Sequence, residues 1–348
     1  MRRLIILTAA VLVVLLAGSF LAWRWAVGEM QAQLVQWESA QQAHGWTIRH
    51  APPESGGWPL AATLALPEFA AIGPALPGGV AWRAGRVTLR VSLLQPALAV
   101  ASVSGAQQVQ MAGQKPLGFI TDRFEVSVPI SAKPEAAGLD ARGVHIDGGA
   151  TIGLLEGQIT QQAEAGAVRL RMTAEAIDFP PPPAAQPPLG GHIASASGEA
   201  EITGPQPQPG MTPAQSAAAW QQAGGEIKLT RMAAGWGPLG LSGTGALSLD
   251  PQLQPALTAK LHLVGYEAAL QAMAAAHVIT PNAARAAAAV LSLLATVPDG
   301  GGPPAVDAPV TVAGRTLSMG RIPLLKLPEM DWSKLVWPSG AEPASVAP

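Results

Sequence analysis

Apolar and polar residues alternate one by one over much of the chain, as they do in strands with one buried face. The alternation is strict from Arg86 to Leu93. The same period returns in four other runs: 124–130, 168–172, 247–249 and 257–263. A period of two predicts half-buried β-strands, and short Gly-rich turns between them favour antiparallel neighbours over crossover helices. We predict a mainly β (α+β) fold, a long antiparallel meander that forms an open, curved or sandwich-like sheet.

Helical periods interrupt this pattern near both ends of the chain. An apolar stripe typical of a stalk helix comprises Val27, Met30, Leu34, Trp37 and Ala40, and Gly45 follows as a stop. A pair of helices is predicted later, where Tyr266 to His277 has helical spacing and Thr280-Pro281 has the residues of a second N-terminus. Beyond them, Gly314-Arg315 separates two alternating runs, which predicts a hairpin with a type II′ turn.

The first segment is an apolar run from Leu4 to Trp23. Twenty helical residues span about 30 Å, the thickness of the hydrocarbon core of a bilayer. We expect a single membrane-spanning helix whose interface residues are Arg2, Arg3, Trp23, Arg24 and Trp25. Positive charge before the run places the N-terminus in the cytoplasm and the rest outside. The alternative is a signal peptide cleaved near Ala17-Gly18-Ser19, and export follows from either interpretation.

The resulting organisation has eight segments. In order they are an anchor (1–25), a stalk helix (26–45), an N-terminal β region (46–179), a proline-rich insertion (180–215), a second β region (216–265), a helical pair (266–297), a hairpin with an extended segment (298–330) and a frayed tail (331–348).

Composition removes several classes of function. The net charge is −2 and no basic run follows the start, so the Lys/Arg footprint of a nucleic-acid binder is missing. The chain has no cysteine, which excludes thiolate metal sites, disulfides and thiol nucleophiles. Only 13% of residues are charged, which favours apolar contacts over ionic ones.

No motif predicts catalysis. The six histidines are scattered, and His145 and His262 fall on the polar side of their strands. Ser242-Gly243-Thr244-Gly245 leads into a strand, so we interpret its glycines as a bulge or a strand start rather than a phosphate loop. The acidic pairs Asp122 with Glu125 and Glu199 with Glu201 are interpreted as solvated charges. We therefore predict no catalytic, cofactor-binding or metal-binding residue and no enzyme activity.

Ten tryptophans accompany one tyrosine and five phenylalanines. Five of those outside the anchor stand beside glycines or at strand edges, where a large ring covers the end of a core. The residues so interpreted are Trp46, Trp58, Trp82, Trp220 and Trp236.

Short motifs at both ends resemble a known bacterial family, the domain of unknown function 2125. They include Gly45-Trp46, Gly56-Gly57-Trp58-Pro59-Leu60 and Trp82-Arg83-Ala84 near the start, and Leu263-x-Gly265-Tyr266 and Gly314-Arg315-x-Leu317-x-Met319-Gly320 near the end. The resemblance spans most of residues 1–330 and departs from the family pattern at 180–215. It implies a single-pass protein of the bacterial inner membrane, N-terminus cytoplasmic and main domain periplasmic, without assigned activity. The layout is more distantly similar to AsmA-like proteins, some of which carry lipids along an apolar β groove.

Two functions lead at this stage, and an enzyme, which would need distant carboxylates and histidines to converge, is the least expected third. The first is a β domain that binds lipid or another apolar ligand beside the membrane, and its expected sign is an apolar sheet face left uncovered by helix. The second is a cell-envelope scaffold or assembly partner that contacts other envelope proteins and no small ligand.

Overall fold

The computed structural model describes eight stretches of the chain. They are residues 2–73, 80–111, 114–130, 136–162, 167–180, 189–205, 211–297 and 303–332. Side chains are described from residue 14 onward within these stretches, except those of residues 162, 322 and 324. The chain divides into two compact units: unit 1 holds the described residues up to Ala137, and unit 2 those from Gly138.

Unit 1 is an antiparallel sheet with one long helix. Its elements are α1 (Arg2–Ala43), β1 (Thr47–Arg49), β2 (Glu54–Gly56), β3 (Ala61–Gly73), β4 (Val80–Ser92), β5 (Gln95–Met111) and β6 (Leu117–Pro129). The strand order is β1-β3-β4-β5-β6, and β2 also pairs with β3. Alternating residues from β3 to β6 put apolar side chains on one face, and α1 lies on that face at β3.

Unit 2 continues the antiparallel pattern over most of β7 and all later strands. Its elements are β7 (Ala136–Ile146), β8 (Thr151–Gln162), β9 (Ala167–Asp178), β10 (His192–Thr203), α2 (Pro213–Gln222), β11 (Glu226–Trp236), β12 (Leu239–Leu249), β13 (Pro255–Val264), α3 (Tyr266–Ala275), α4 (Pro281–Leu294), β14 (Ala305–Ala313), β15 (Thr316–Met319) and β16 (Ile322–Lys326). Each strand pairs with its successor in the chain. The predicted mainly β fold, a long antiparallel meander with an N-terminal helix and a late helical pair, is confirmed.

The predicted stripe of the stalk helix is half right. Val27 and Leu34 are buried against β3. Trp37 is 44% exposed, and Ala40 is exposed too. One helical turn beyond Leu34 the inward position belongs to Glu38, whose carboxylate lies 2.6 Å from Nε2 of His50. The stripe therefore ends where a polar pair begins.

α1 runs without a break through the predicted anchor and stalk, from Arg2 to Ala43. The turn after it contains Gly45 at φ +81°, as the sequence predicted for a helix stop. Across the residues that the structure describes, no helix combines the length and the apolar character needed to cross a bilayer.

Two local predictions are wrong. The hairpin turn at Gly314-Arg315 has φ of +53° and +67°, which is the signature of a type I′ turn because both central residues are left-handed. Residues 213–222 form α2 and not a loop or strand, since Thr212 and Gln215 exchange capping bonds of 3.2 and 2.8 Å and Pro213 occupies the first turn. Within the predicted proline-rich insertion, residues 181–188 and 206–210 lie outside the described residues.

The helical pair is confirmed. α3 begins at Tyr266, which is 4% exposed, and α4 begins at Pro281 with Thr280 Oγ1 accepting from the amide of Ala283 at 3.2 Å. Tyr266 packs with Val306 and Ala308, so the pair covers the apolar side of β14.

The segment after β16 is anchored rather than frayed at its start. The indole of Trp332 donates to the carbonyl of Leu253 at 2.7 Å, and the amide of Met330 donates to Oε1 of Gln254 at 2.9 Å. The predicted frayed tail is therefore wrong for residues 331 and 332, and its remainder, 333–348, lies outside the described residues.

Candidate functional site

Strand register gives the meander of unit 2 one apolar face and one polar face. Leu155, Ala174, Ala196, Ala234, Leu241 and Leu263 stand directly opposite one another from β8 to β13. Directly paired residues lie on the same side of a sheet, and residues two positions further along join them there. We call this side the apolar face. Its members are 155, 157 and 159 on β8; 168, 170, 172 and 174 on β9; 196, 198, 200 and 202 on β10; 227, 229, 232 and 234 on β11; 241, 243, 245 and 247 on β12; and 257, 259, 261 and 263 on β13.

The apolar face is only partly buried. Of its members only Ala259 is fully buried, and Ile159 is 49% exposed. The inward side chains of unit 1 provide the contrast, since Leu64 is 0% and Leu66 2% exposed beneath α1. An apolar sheet face normally packs against a second layer. In unit 2 the helical pair packs on Leu263, Val306 and Ala308, at the β13–β14 end of this face. The members on β8 to β11 stay partly accessible.

A line of small side chains runs down the centre of this face. β10 contributes Ala196, Gly198 and Ala200, which we call the furrow. Its walls are larger residues on the flanking strands, Leu170 and Met172 on β9 and Leu229 and Met232 on β11. A Cβ built on Gly198 would meet nothing within 4 Å, so the space above the centre of the furrow is open.

At each end of β10, a tryptophan from another element donates a hydrogen bond to the backbone. The indole of Trp236 donates to the carbonyl of Gly190 at 2.9 Å, next to the start of the strand. The indole of Trp220 donates to the carbonyl of Thr203 at 2.8 Å, at the strand's last residue, and its ring covers Gly225. The prediction that these two tryptophans cover core ends beside glycines agrees with this geometry.

The opposite face holds the charged groups. Nε of Arg171 donates to Glu199 at 2.8 Å, and Arg169 lies 3.6 Å from Glu201. His262 and Asp307 are paired at 2.8 Å further along the sheet. The two faces thus differ in kind: ion pairs in solvent on one side, accessible hydrocarbon on the other.

A bacterial protein family accounts for most of this chain. The model of the family described as an uncharacterized protein conserved in bacteria (DUF2125) matches residues 23–328. The chain belongs to the DUF2125 family. Searches of curated proteins and of solved structures gave no match. The predicted resemblance to this family is confirmed, and the more distant similarity to AsmA-like proteins stays a prediction.

The glycines once considered for a phosphate loop have a structural role in the DUF2125 chain. Gly243 and Gly245 lie inside β12 on the apolar face, and a Cβ on Gly243 would collide with the carbonyl oxygen of Lys260. The predicted bulge is not in these glycines but in the facing strand, where the register shifts between Leu229 and Met232. The glycines allow β13 to approach closely.

The acidic pairs proposed from the sequence are surface charges. Glu199 and Glu201 each pair with an arginine across the polar face, and Glu125 pairs with Arg123 at 2.7 Å. His262 lies on the polar face as predicted. Within the described residues, no three acidic or histidine side chains converge on one point that could hold a metal ion.

The predicted interface residues of the DUF2125 chain lie along the first part of α1. The side chains of Arg2 and Arg3 are outside the described ones. Arg24 is exposed and Trp25 is 73% exposed. Trp23 is half-buried, and its indole donates to the carbonyl of Gly56 at 2.8 Å, a contact that the sequence did not predict.

Proposed function

We propose that this DUF2125 protein binds a lipid, or another ligand with long alkyl chains, on the apolar face of unit 2, without catalysing a reaction. The observation that carries the proposal is the furrow with its walls: apolar residues on three adjacent strands, β9 to β11, that stay partly accessible in the described chain. Contiguous exposed hydrocarbon is costly in water and usually marks a binding surface.

The furrow suits a flexible alkyl chain better than a compact polar ligand. Strands are about 4.8 Å apart, so a chain lying over β10 is within reach of van der Waals contact, about 4 Å, with both walls. β8 to β13 together span about 24 Å, enough for a long ligand or for more than one chain. Met172 and Met232 in the walls are unbranched, so they adapt to ligands of different shape. The opposite, polar face keeps its ion pairs in solvent.

The proposed place of action is the periplasmic side of the bacterial inner membrane. The apolar run from Leu4 to Trp23, preceded by Arg2 and Arg3, supports a single-pass anchor with a cytoplasmic N-terminus. An anchor would keep the apolar site close to the bilayer. Lipid would then be the most abundant apolar molecule that the site can reach.

Site-specific photo-crosslinking in cells tests the binding proposal. A benzoylphenylalanine replaces Met172, in the wall of the furrow, or Thr173, the next residue of β9, which faces the polar side. We expect irradiation to attach lipid at position 172 and not at 173, read out by mass spectrometry of the purified full chain. Lipid at neither position, or equally at both, would contradict the proposal.

A second candidate function, an assembly partner in the cell envelope, is favoured by one feature of α4. Its last turns expose an apolar stripe made of Val290 (46%), Leu293 (87%) and Leu294 (57%). Helical residues at this spacing form one face, which suits contact with another protein.

The same crosslinker at Leu293 tests this candidate. A protein interface there predicts one discrete protein adduct in cells, with none from Gln271, an exposed polar residue on α3 that serves as control. If Leu293 gave no protein adduct, that result would contradict the candidate function as an assembly partner.

A further inference from the structure

α1 extends past one end of the sheet of unit 1. Ala26 and Val27 pack against Ala62, at the start of β3, and Leu34 packs in the cluster that contains Leu64. Residues 14–25 of the helix, about 18 Å at 1.5 Å per residue, therefore lie beyond the first residues of β3. Their apolar side chains are accessible: Leu15 is 64% and Leu21 67% exposed.

Two turns of the sheet lie at that same end and bond to each other and to α1. The amide of Leu93, in the turn between β4 and β5, donates to the carbonyl of Leu60 at 3.0 Å. The indole of Trp23 donates to Gly56 at 2.8 Å, and the rings of Phe20 and Trp58 meet edge to face at 6.3 Å. The helix and the two turns thus form one local structure.

The tips of these turns present apolar side chains to the exterior. Trp58 is 44%, Leu60 61% and Leu94 78% exposed, and we call these three residues the rim. The segments that contain them, 57–60 and 93–96, include no charged residue. Transfer of such side chains from water into hydrocarbon is favourable in free energy.

We propose that the rim is a second membrane contact of unit 1, inserted at the boundary between lipid head groups and acyl chains. The proposal rests on the proposed membrane anchor, since the rim lies beside α1 where its apolar run ends. A bilayer is the occupant that fits because the rim is continuous with accessible apolar residues of that helix, and because tryptophan favours the lipid–water boundary. With three contacts beside the helix, unit 1 is held in one orientation against the membrane rather than turning about a single tether.

Fluorescent labelling of the full chain in vesicles tests the rim. The chain has no cysteine, so a single introduced cysteine takes an environment-sensitive dye at a chosen position. Leu94→Cys reports on the rim and Leu21→Cys on the anchor. Leu117→Cys is the matched control, a 48% exposed leucine at the far end of the same strands, about 45 Å away along β5.

In vesicles of phosphatidylethanolamine and phosphatidylglycerol that carry a lipid-attached quencher, we expect blue-shifted and strongly quenched emission at positions 21 and 94, and neither effect at 117. Quenching at 21 without quenching at 94 would overturn the rim and leave the anchor standing. Quenching at neither would overturn both. Equal quenching at 94 and 117 would also overturn the rim, since contact would then not be specific to this end.

Discussion

Gly198→Leu should empty the furrow of its ligand. The substitution places four carbon atoms where a Cβ alone meets nothing within 4 Å, in a strand position without positive φ, so the backbone need not move. Excluding about four methylene groups of a bound chain, at about 0.8 kcal/mol each, weakens binding by about 3 kcal/mol, or about a hundredfold. The measurement is the lipid retained per protein molecule in native mass spectrometry of the purified full chain.

Gly235→Leu is the matched control. Gly235 lies on the neighbouring strand β11 but on the polar face, and a Cβ there meets only Oγ of Ser195, at 4.0 Å. Both variants exchange a strand glycine for the same side chain, so changes in strand propensity cancel between them. Lipid retention should equal that of the unmodified protein in Gly235→Leu. A Gly198→Leu protein that keeps its lipid would show that the ligand does not lie in the furrow.

The architecture could be predicted from the alternation of apolar and polar residues, because that alternation identifies the two faces of a strand. The runs around 86–93, 124–130 and 257–263 fall in β4, β6 and β13, in the register that a period of two requires. Helix α4 was predictable from Thr280-Pro281 for a comparable reason, since N-terminal capping depends on adjacent residues alone. Thr212 and Gln215 carry an equally local signal for α2, because they are the two residues of a capping box.

What covers each apolar face was not predictable from the sequence. β4 and β10 both alternate, yet Val87 is buried in the cluster that contains Leu34 of α1, while Ala196 and Gly198 remain partly accessible. Whether a sheet face is buried depends on where a helix distant in sequence packs. The spacing of apolar residues within a strand contains no information about that. The turn at Gly314-Arg315 was missed for another reason: a left-handed arginine is uncommon, so glycine alone suggested type II′.

α1 has two distinct roles along its length. The part before Trp23 is apolar all round in sequence, as a lipid-facing helix is, whereas the part after it has one stripe that replaces a second sheet layer over β3. Unit 1 therefore depends on α1 for its core as well as for the proposed anchor, and damage to the stripe should destabilise the sheet.

Leu34→Ala should be strongly destabilising to unit 1. Leu34 is 7% exposed in the core cluster with Leu64, Leu66 and Phe69, and deleting such a side chain leaves a cavity that costs about 2–5 kcal/mol. Hydrogen exchange of the β3 amides measures the effect, with protection falling by about 30-fold or more. Val35→Ala, at the adjacent residue that is 61% exposed, should stay within about 0.5 kcal/mol of the unmodified protein. Similar protection of β3 in both variants would mean that α1 contributes little to the core, and that its role is confined to the tether.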